Sequence, residues 1–134
     1  MKKFVLILAL SGCVMAPLPP VDPGPAPASW VMQSLNGQPF LSRATLSFTG
    51  PGLTGPVVGQ APCNGYSGNQ TRAYPSLRIT DLTATEMACD ALPDEGRYFA
   101  ALAAMSQAEA LGSQLILTST SGQRMVFYAA PPVE

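Results

Sequence analysis

The chain has 134 residues, which is enough for one small domain. After residue 12 it contains five arginines against eight acidic residues, a net charge of −3, so it lacks the basic surface that nucleic-acid binding requires. It has no histidine, and no lysine after Lys3, and therefore lacks the usual general base, the commonest metal ligand and the Schiff-base amine. We therefore predict a protein that is not an enzyme, with no catalytic residues, no cofactor and no metal.

The first 12 residues have the pattern of a bacterial lipoprotein signal peptide. The basic pair Lys2-Lys3 precedes the apolar run Phe4–Leu10, which is far too short to span a bilayer. The motif Leu10-Ser11-Gly12-Cys13 resembles a lipobox, in which the cysteine carries the lipid and becomes the first mature residue. The alternative is an ordinary cleaved signal peptide with an incidental cysteine. Val14, rather than aspartate, follows Cys13. By resemblance to the sorting preference of Gram-negative lipoproteins, this residue favours the outer membrane.

Residues 13–29 are predicted to form a lipidated tether. Six prolines lie between residues 14 and 29, a density typical of an extended polyproline II segment. At about 3.1 Å per residue, this segment could hold a domain roughly 50 Å from the membrane. A proline-motif ligand for a partner is the alternative interpretation.

The remaining two cysteines are predicted to form a disulfide. Three cysteines are an odd number for an exported chain, and assigning Cys13 to the lipid leaves Cys63 and Cys89 as one pair. A bond between them would close a loop of about 26 residues and stabilise the fold by roughly 3–4 kcal/mol. A redox-active or metal-binding pair is the alternative, but neither CxxC spacing nor histidine supports it.

Alternating apolar residues and turn signals predict eight strands and one helix. The helix is predicted over residues 94–106, with Pro93 at its start. Leu115, Leu117, Met125 and Phe127 are predicted to point inward. The strands are predicted over residues 30–35, 44–48, 57–60, 66–71, 76–80, 107–111, 114–119 and 123–129. The predicted fold class is α+β, mainly β: a small antiparallel sheet or partly closed barrel of about eight strands, with one helix packed against it.

The segments around the cysteine pair resemble the META domain, the family of the heat-shock protein HslJ. The resemblance rests on the motifs Cys63-Asn64-Gly65-Tyr66-Ser67-Gly68 and Thr85-Glu86-Met87-Ala88-Cys89, and it covers residues 30–130, leaving 131–134 as a short tail. Ala61-Pro62 departs from the small residues common before the first cysteine. The resemblance implies a β-rich fold with one helix, export or lipid anchoring, and no established catalytic residues. It also supports the disulfide.

The candidate binding loop is Asn64, Gly65, Tyr66, Ser67 and Gly68. Asn64 could instead hold the loop by bonding nearby backbone. The acidic residues near Cys89 lack the spacing of a calcium loop and are interpreted as solvated charges. They are Asp81, Glu86, Asp90, Asp94 and Glu95.

These patterns predict a membrane-anchored envelope lipoprotein, attached through Cys13 to the outer membrane and facing the periplasm. It would bind an unidentified envelope protein or small ligand, and the HslJ resemblance suggests a stress-response role. The alternative is an exported inhibitor of a protease or lysozyme that acts through a disulfide-pinned loop. An exposed rigid loop would favour that alternative.

Overall fold

The computed structural model describes Gly12 and residues 29–130. The predicted signal peptide, the lipid site at Cys13, the tether up to residue 28 and the tail at 131–134 lie outside the described residues. The elements are β1 Ser29–Leu35, β2 Gln38–Pro39, β3 Thr45–Gly50, β4 Thr54–Gln60, β5 Gly65–Gln70, β6 Ile79–Ala84, α1 Leu92–Ala104, β7 Met105–Leu111, β8 Gln114–Ser119 and β9 Arg124–Ala129.

All strands belong to one antiparallel sheet. Eight strands follow the order β6-β5-β4-β3-β1-β9-β8-β7, and the short β2 pairs with β1. The sheet curls into a half-barrel, and the one helix among residues 29–130, α1, lies between β6 and β7 in the chain. The predicted fold class, mainly β with about eight strands and one helix, is confirmed.

The segment between β5 and β6 partly closes this half-barrel. The Leu77 amide donates to the Ser106 carbonyl at 2.9 Å, and the Ala108 amide donates to the Pro75 carbonyl at 2.8 Å. These bonds attach the chain before β6 to the outer edge of β7. The predicted strand 76–80 is therefore partly wrong. Its first residues bond to β7, and the strand that pairs with β5 begins only at Ile79.

The helix also differs from its prediction, since it runs from Leu92 to Ala104 rather than over 94–106. Met105 has extended backbone angles and begins β7, where it pairs with Ser119. Met105 is buried in this strand, as it would be on the apolar face of a helix. The apolar character of Met105 therefore could not distinguish a helix from a strand at this position.

Large side chains fill the interior of the half-barrel. Trp30, Tyr98 and Phe127 are almost completely buried at its centre. The four residues predicted to point inward, Leu115, Leu117, Met125 and Phe127, are all fully buried, so this prediction is confirmed. Because side chains occupy the interior, the exterior is where this domain offers room for a partner.

Two buried tyrosines connect the helix to the sheet. The hydroxyl groups of Tyr66 and Tyr98 lie 2.6 Å apart, and the Tyr66 hydroxyl donates to the Thr45 carbonyl at 2.7 Å. Burial, which disfavours the charged phenolate, raises the pKa of both tyrosines well above the ordinary value.

Alkaline pH is therefore expected to destabilise the fold. Below pH 10 both tyrosines are protonated in the folded and unfolded states, so they contribute no pH dependence. Above about pH 10 the unfolded tyrosines lose protons that the folded ones retain, and the free energy of unfolding should fall by up to about 1.4 kcal/mol per pH unit for each tyrosine. Urea unfolding at several pH values measures this slope. Tyr66→Phe should reduce it, and an unchanged slope would contradict the assignment.

Candidate functional site

The predicted binding loop is mostly a strand. Residues from Gly65 onward belong to β5, and Ser67 is the one exposed residue among Asn64–Gly68. Tyr66 packs edge-on against Phe99, with ring centroids 5.3 Å apart. A side chain at Gly68 would come within 3.0 Å of the Thr80 carbonyl on β6, so glycine allows the two strands to approach. The candidate binding loop Asn64–Gly68 is therefore not the exposed rigid loop that would favour the inhibitor alternative, and a binding role for these residues stays a prediction.

The predicted disulfide is present. It joins Cys63, just before β5, to Cys89, between β6 and α1. The two Cα atoms are 5.7 Å apart, within the range that this bond requires. The bond therefore attaches the segment before the helix to the turn between β4 and β5.

Asn64 holds the same segment through its side chain. Its Oδ1 accepts hydrogen bonds from the Met87 amide at 2.6 Å and the Thr85 hydroxyl at 2.9 Å. Its Nδ2 donates to the Met87 carbonyl at 3.0 Å and to Glu95 Oε1 at 2.6 Å. Asn64 is only 3% exposed, and its amide is fully engaged within the protein. Asn64 therefore has a structural role, but it holds backbone that is 23 residues away rather than the neighbouring backbone that the alternative predicted.

Glu95 completes this network from the first turn of α1. Its Oε2 accepts hydrogen bonds from the amides of Cys63 at 2.7 Å and Asn64 at 2.8 Å. The side chain is buried, whereas the sequence interpretation made it a solvated charge. Its neighbour Asp94 has the same local sequence signal but is partly exposed and bonds Ser42 and Arg97 instead. Sequence position alone could not distinguish the two carboxylates.

The result is an exposed but firmly held segment, residues 85–90, which we call the pinned segment. Every residue in it is exposed. The side chain of Met87 is 66% exposed, although both its backbone amide and its carbonyl are bonded to Asn64. The nearby side chain of Leu92 is 45% exposed. Beside the pinned segment lies a shallow cavity of about 330 Å³.

Strand β6 extends this surface as an edge of the sheet. It pairs with β5 on one side, and no strand among residues 29–130 pairs with its other side. A small, mostly apolar cavity of about 170 Å³ lies against it, lined by Leu82, Thr83, Ala84 and Phe99. The pinned segment also carries two acidic residues, Glu86 and Asp90, and no basic one. The surface thus combines apolar side chains with negative charge.

The acidic residues do not converge as metal ligands do. Within the part of the chain that the structure describes, no three His, Cys, Asp or Glu side chains are grouped around one point. Trp30 lies in the core rather than on a binding surface. The described helix, α1, is too short to cross a membrane.

Two solved structures share this fold. A protein from Burkholderia xenovorans, determined by NMR, is 20% identical and superimposes with a TM-score of 0.62 over 87% of this chain and all of its own. A second NMR structure is 22% identical, with a TM-score of 0.57 over 75% of this chain and 87% of its own. No curated protein matches the chain. The family model of the META domain matches residues 26–132, and the chain therefore belongs to the META-domain family.

Proposed function

We propose that this protein is a lipid-anchored envelope lipoprotein that binds a partner protein through the pinned segment. The observation that carries the proposal is the state of Met87, whose side chain is 66% exposed on a backbone held on both sides by Asn64. A large apolar side chain in this state suits insertion into a pocket of a partner.

The pinned segment would increase affinity because its backbone is preorganised. The disulfide and the Asn64–Glu95 network fix the backbone before a partner arrives, so binding would require little further ordering. Glu86 and Asp90 lie on either side of Met87 in the chain. The complementary partner surface is an apolar pocket with lysine or arginine at its rim.

The anchor and its location complete the proposal. A lipid on Cys13 and the proline-rich tether would hold the domain at the outer membrane, facing the periplasm. The META domain is not a known enzyme family, which is consistent with a binding role without cofactor. The HslJ resemblance supports a role in the envelope stress response.

Lipidation gives the first test. Mass spectrometry of the membrane fraction is expected to show an N-terminal peptide that begins at a diacylglyceryl-modified Cys13. Cys13→Ser should release a folded protein from the membrane fraction, since this residue precedes the described domain. A mature protein that begins at another residue and is not associated with the membrane would contradict the proposed anchor.

Crosslinking in intact cells tests the binding surface. A photo-reactive residue placed at the exposed position Ala88 should capture one envelope protein. In that background Met87→Ser should lower the crosslinked yield at least tenfold, because it removes the apolar side chain that enters the pocket. Leu111→Ser is the matched control, since Leu111 is 53% exposed at the end of β7. Equal yields from the two variants would exclude this surface.

A second candidate function, inhibition of a hydrolase, is favoured by one specific observation. A rigid, exposed and acidic segment fits the mouth of a cationic enzyme such as lysozyme, or the cleft of a protease. If the captured partner is a hydrolase, the purified full chain should inhibit it stoichiometrically, and Met87→Ser should abolish inhibition. A partner that remains fully active when saturated would identify a binding module without inhibitory action.

A further inference from the structure

A second surface, far along β6 from the pinned segment, has a different chemistry. The chain between β5 and β6 lines a groove of about 720 Å³ together with the start of β6. Two arginines, Arg72 and Arg78, line this groove, and so does Ser76. A smaller adjoining cavity of about 390 Å³ shares these three residues. We call the combined surface the arginine groove.

The backbone that carries both arginines is held by one buried side chain. Gln70 is only 5% exposed, and its Oε1 accepts hydrogen bonds from the amides of Arg72 at 3.2 Å and Arg78 at 2.8 Å. Its Nε2 donates to the carbonyls of Leu53 and Ser76. With the bonds from this segment to β7, both sides of the loop are attached to the sheet. The two arginines therefore project from a fixed frame rather than from a mobile loop.

No ion pair among the described residues balances the charges of the arginine groove. Among residues 29–130, the one ion pair joins Arg97 to Asp94 at 3.2 Å. Within these residues neither Arg72 nor Arg78 has an ion-pair partner, and both line the same groove. Asp81 lies beside the groove, where its Oδ2 accepts a hydrogen bond from the Thr80 hydroxyl at 3.2 Å. Like charges that line the same groove repel each other, and a local conflict of this kind is expected where a ligand binds.

We propose that the arginine groove binds a phosphate group carried by a small molecule or a lipid headgroup. Each guanidinium can donate two parallel hydrogen bonds to an anion, and a phosphate has enough oxygen atoms to accept from both arginines and from the Ser76 hydroxyl. The groove is open to solvent, so it has room for a phosphate that is one group of a larger ligand. This site is independent of the pinned segment.

Titration with inorganic phosphate tests the shared chemistry. The full chain carrying Cys13→Ser is titrated at constant ionic strength while the NMR signals of the arginine Nε–H groups are followed. The signals of Arg72 and Arg78 should shift saturably. Arg72→Gln or Arg78→Gln should weaken phosphate binding at least tenfold. Arg97→Gln, which removes the same charge from the exposed face of α1, should leave binding unchanged.

A variant that is expected to tighten phosphate binding, rather than weaken it, provides a further test. Asp81→Asn removes a negative charge next to Thr80, which lines the groove, and should tighten phosphate binding two- to threefold; asparagine tolerates the positive φ of 56° at this position. Vesicles of phosphatidylglycerol in phosphatidylcholine then distinguish the sources. If the vesicles compete with phosphate for the arginine groove, the ligand is a lipid headgroup. If the vesicles do not compete with phosphate, the ligand is a soluble molecule. Signals that shift without saturation, or an equal effect of Arg97→Gln, would overturn the proposal.

Discussion

Replacing Cys63 or Cys89 with alanine is expected to lower the free energy of unfolding by about 3–4 kcal/mol. The bond closes a loop of 26 residues, and its loss restores conformational freedom to the unfolded chain. It also detaches the segment before α1 from β5, so the docking of the helix should loosen. Urea unfolding followed by circular dichroism measures the change.

The double variant provides the control for this prediction. Because both cysteines act through one bond, Cys63→Ala with Cys89→Ala should be little less stable than either single variant. Cys13→Ser, which leaves the bond intact, should not change the midpoint. Two free thiols in the exported protein, or additive losses in the double variant, would contradict the disulfide.

Asn64→Ala is expected to lower the free energy of unfolding by about 3–5 kcal/mol, because it leaves the buried Glu95 carboxylate and partly buried groups of Thr85 and Met87 without partners. The Met87 amide loses its acceptor, and Glu95 Oε1 loses the amide that donates to it. Hydrogen exchange at the Met87 amide should accelerate, since the backbone of the pinned segment is released. Urea unfolding and exchange measurements on the same variant provide two separate readouts.

Glu95→Gln is the isosteric companion of this variant. The carboxylate accepts three N–H bonds through its two oxygens, whereas a glutamine offers one oxygen and an NH₂ group that would face a donor. A loss of about 2–4 kcal/mol is expected. Glu86→Gln, on the exposed pinned segment, should change stability by less than about 0.5 kcal/mol. Similar small effects at Glu95 and Glu86 would show that the buried network contributes little.

Stability and partner binding depend on different atoms of the same surface. Asn64 and Glu95 hold the backbone of the pinned segment, whereas the exposed side chain of Met87 is available to a partner. Met87→Ser should therefore weaken partner binding with little change in unfolding. Asn64→Ala should affect both, because an unheld segment must be ordered on binding.

Much of the fold could be predicted from the sequence because its signals are local. Alternation in β8 and β9 identified Leu115, Leu117, Met125 and Phe127 as core residues, and glycine turns marked the ends of those strands. Cysteine number and the inferred compartment predicted the Cys63–Cys89 bond, with support from the family resemblance. Each of these inferences depends on neighbouring residues or on simple counting.

Only the tertiary structure decided which of the two segments joined by the disulfide is exposed. Asn64 and Met87 are 23 residues apart, and Asn64 and Glu95 are 31 apart, so no local pattern shows that they meet. The sequence placed the candidate binding loop at Asn64–Gly68 and made Glu95 a solvated charge. Folding buries Asn64 and Glu95 and exposes residues 85–90. Burial of a polar side chain depends on whether distant donors and acceptors satisfy it, and that is determined by how the chain packs rather than by the residue and its neighbours.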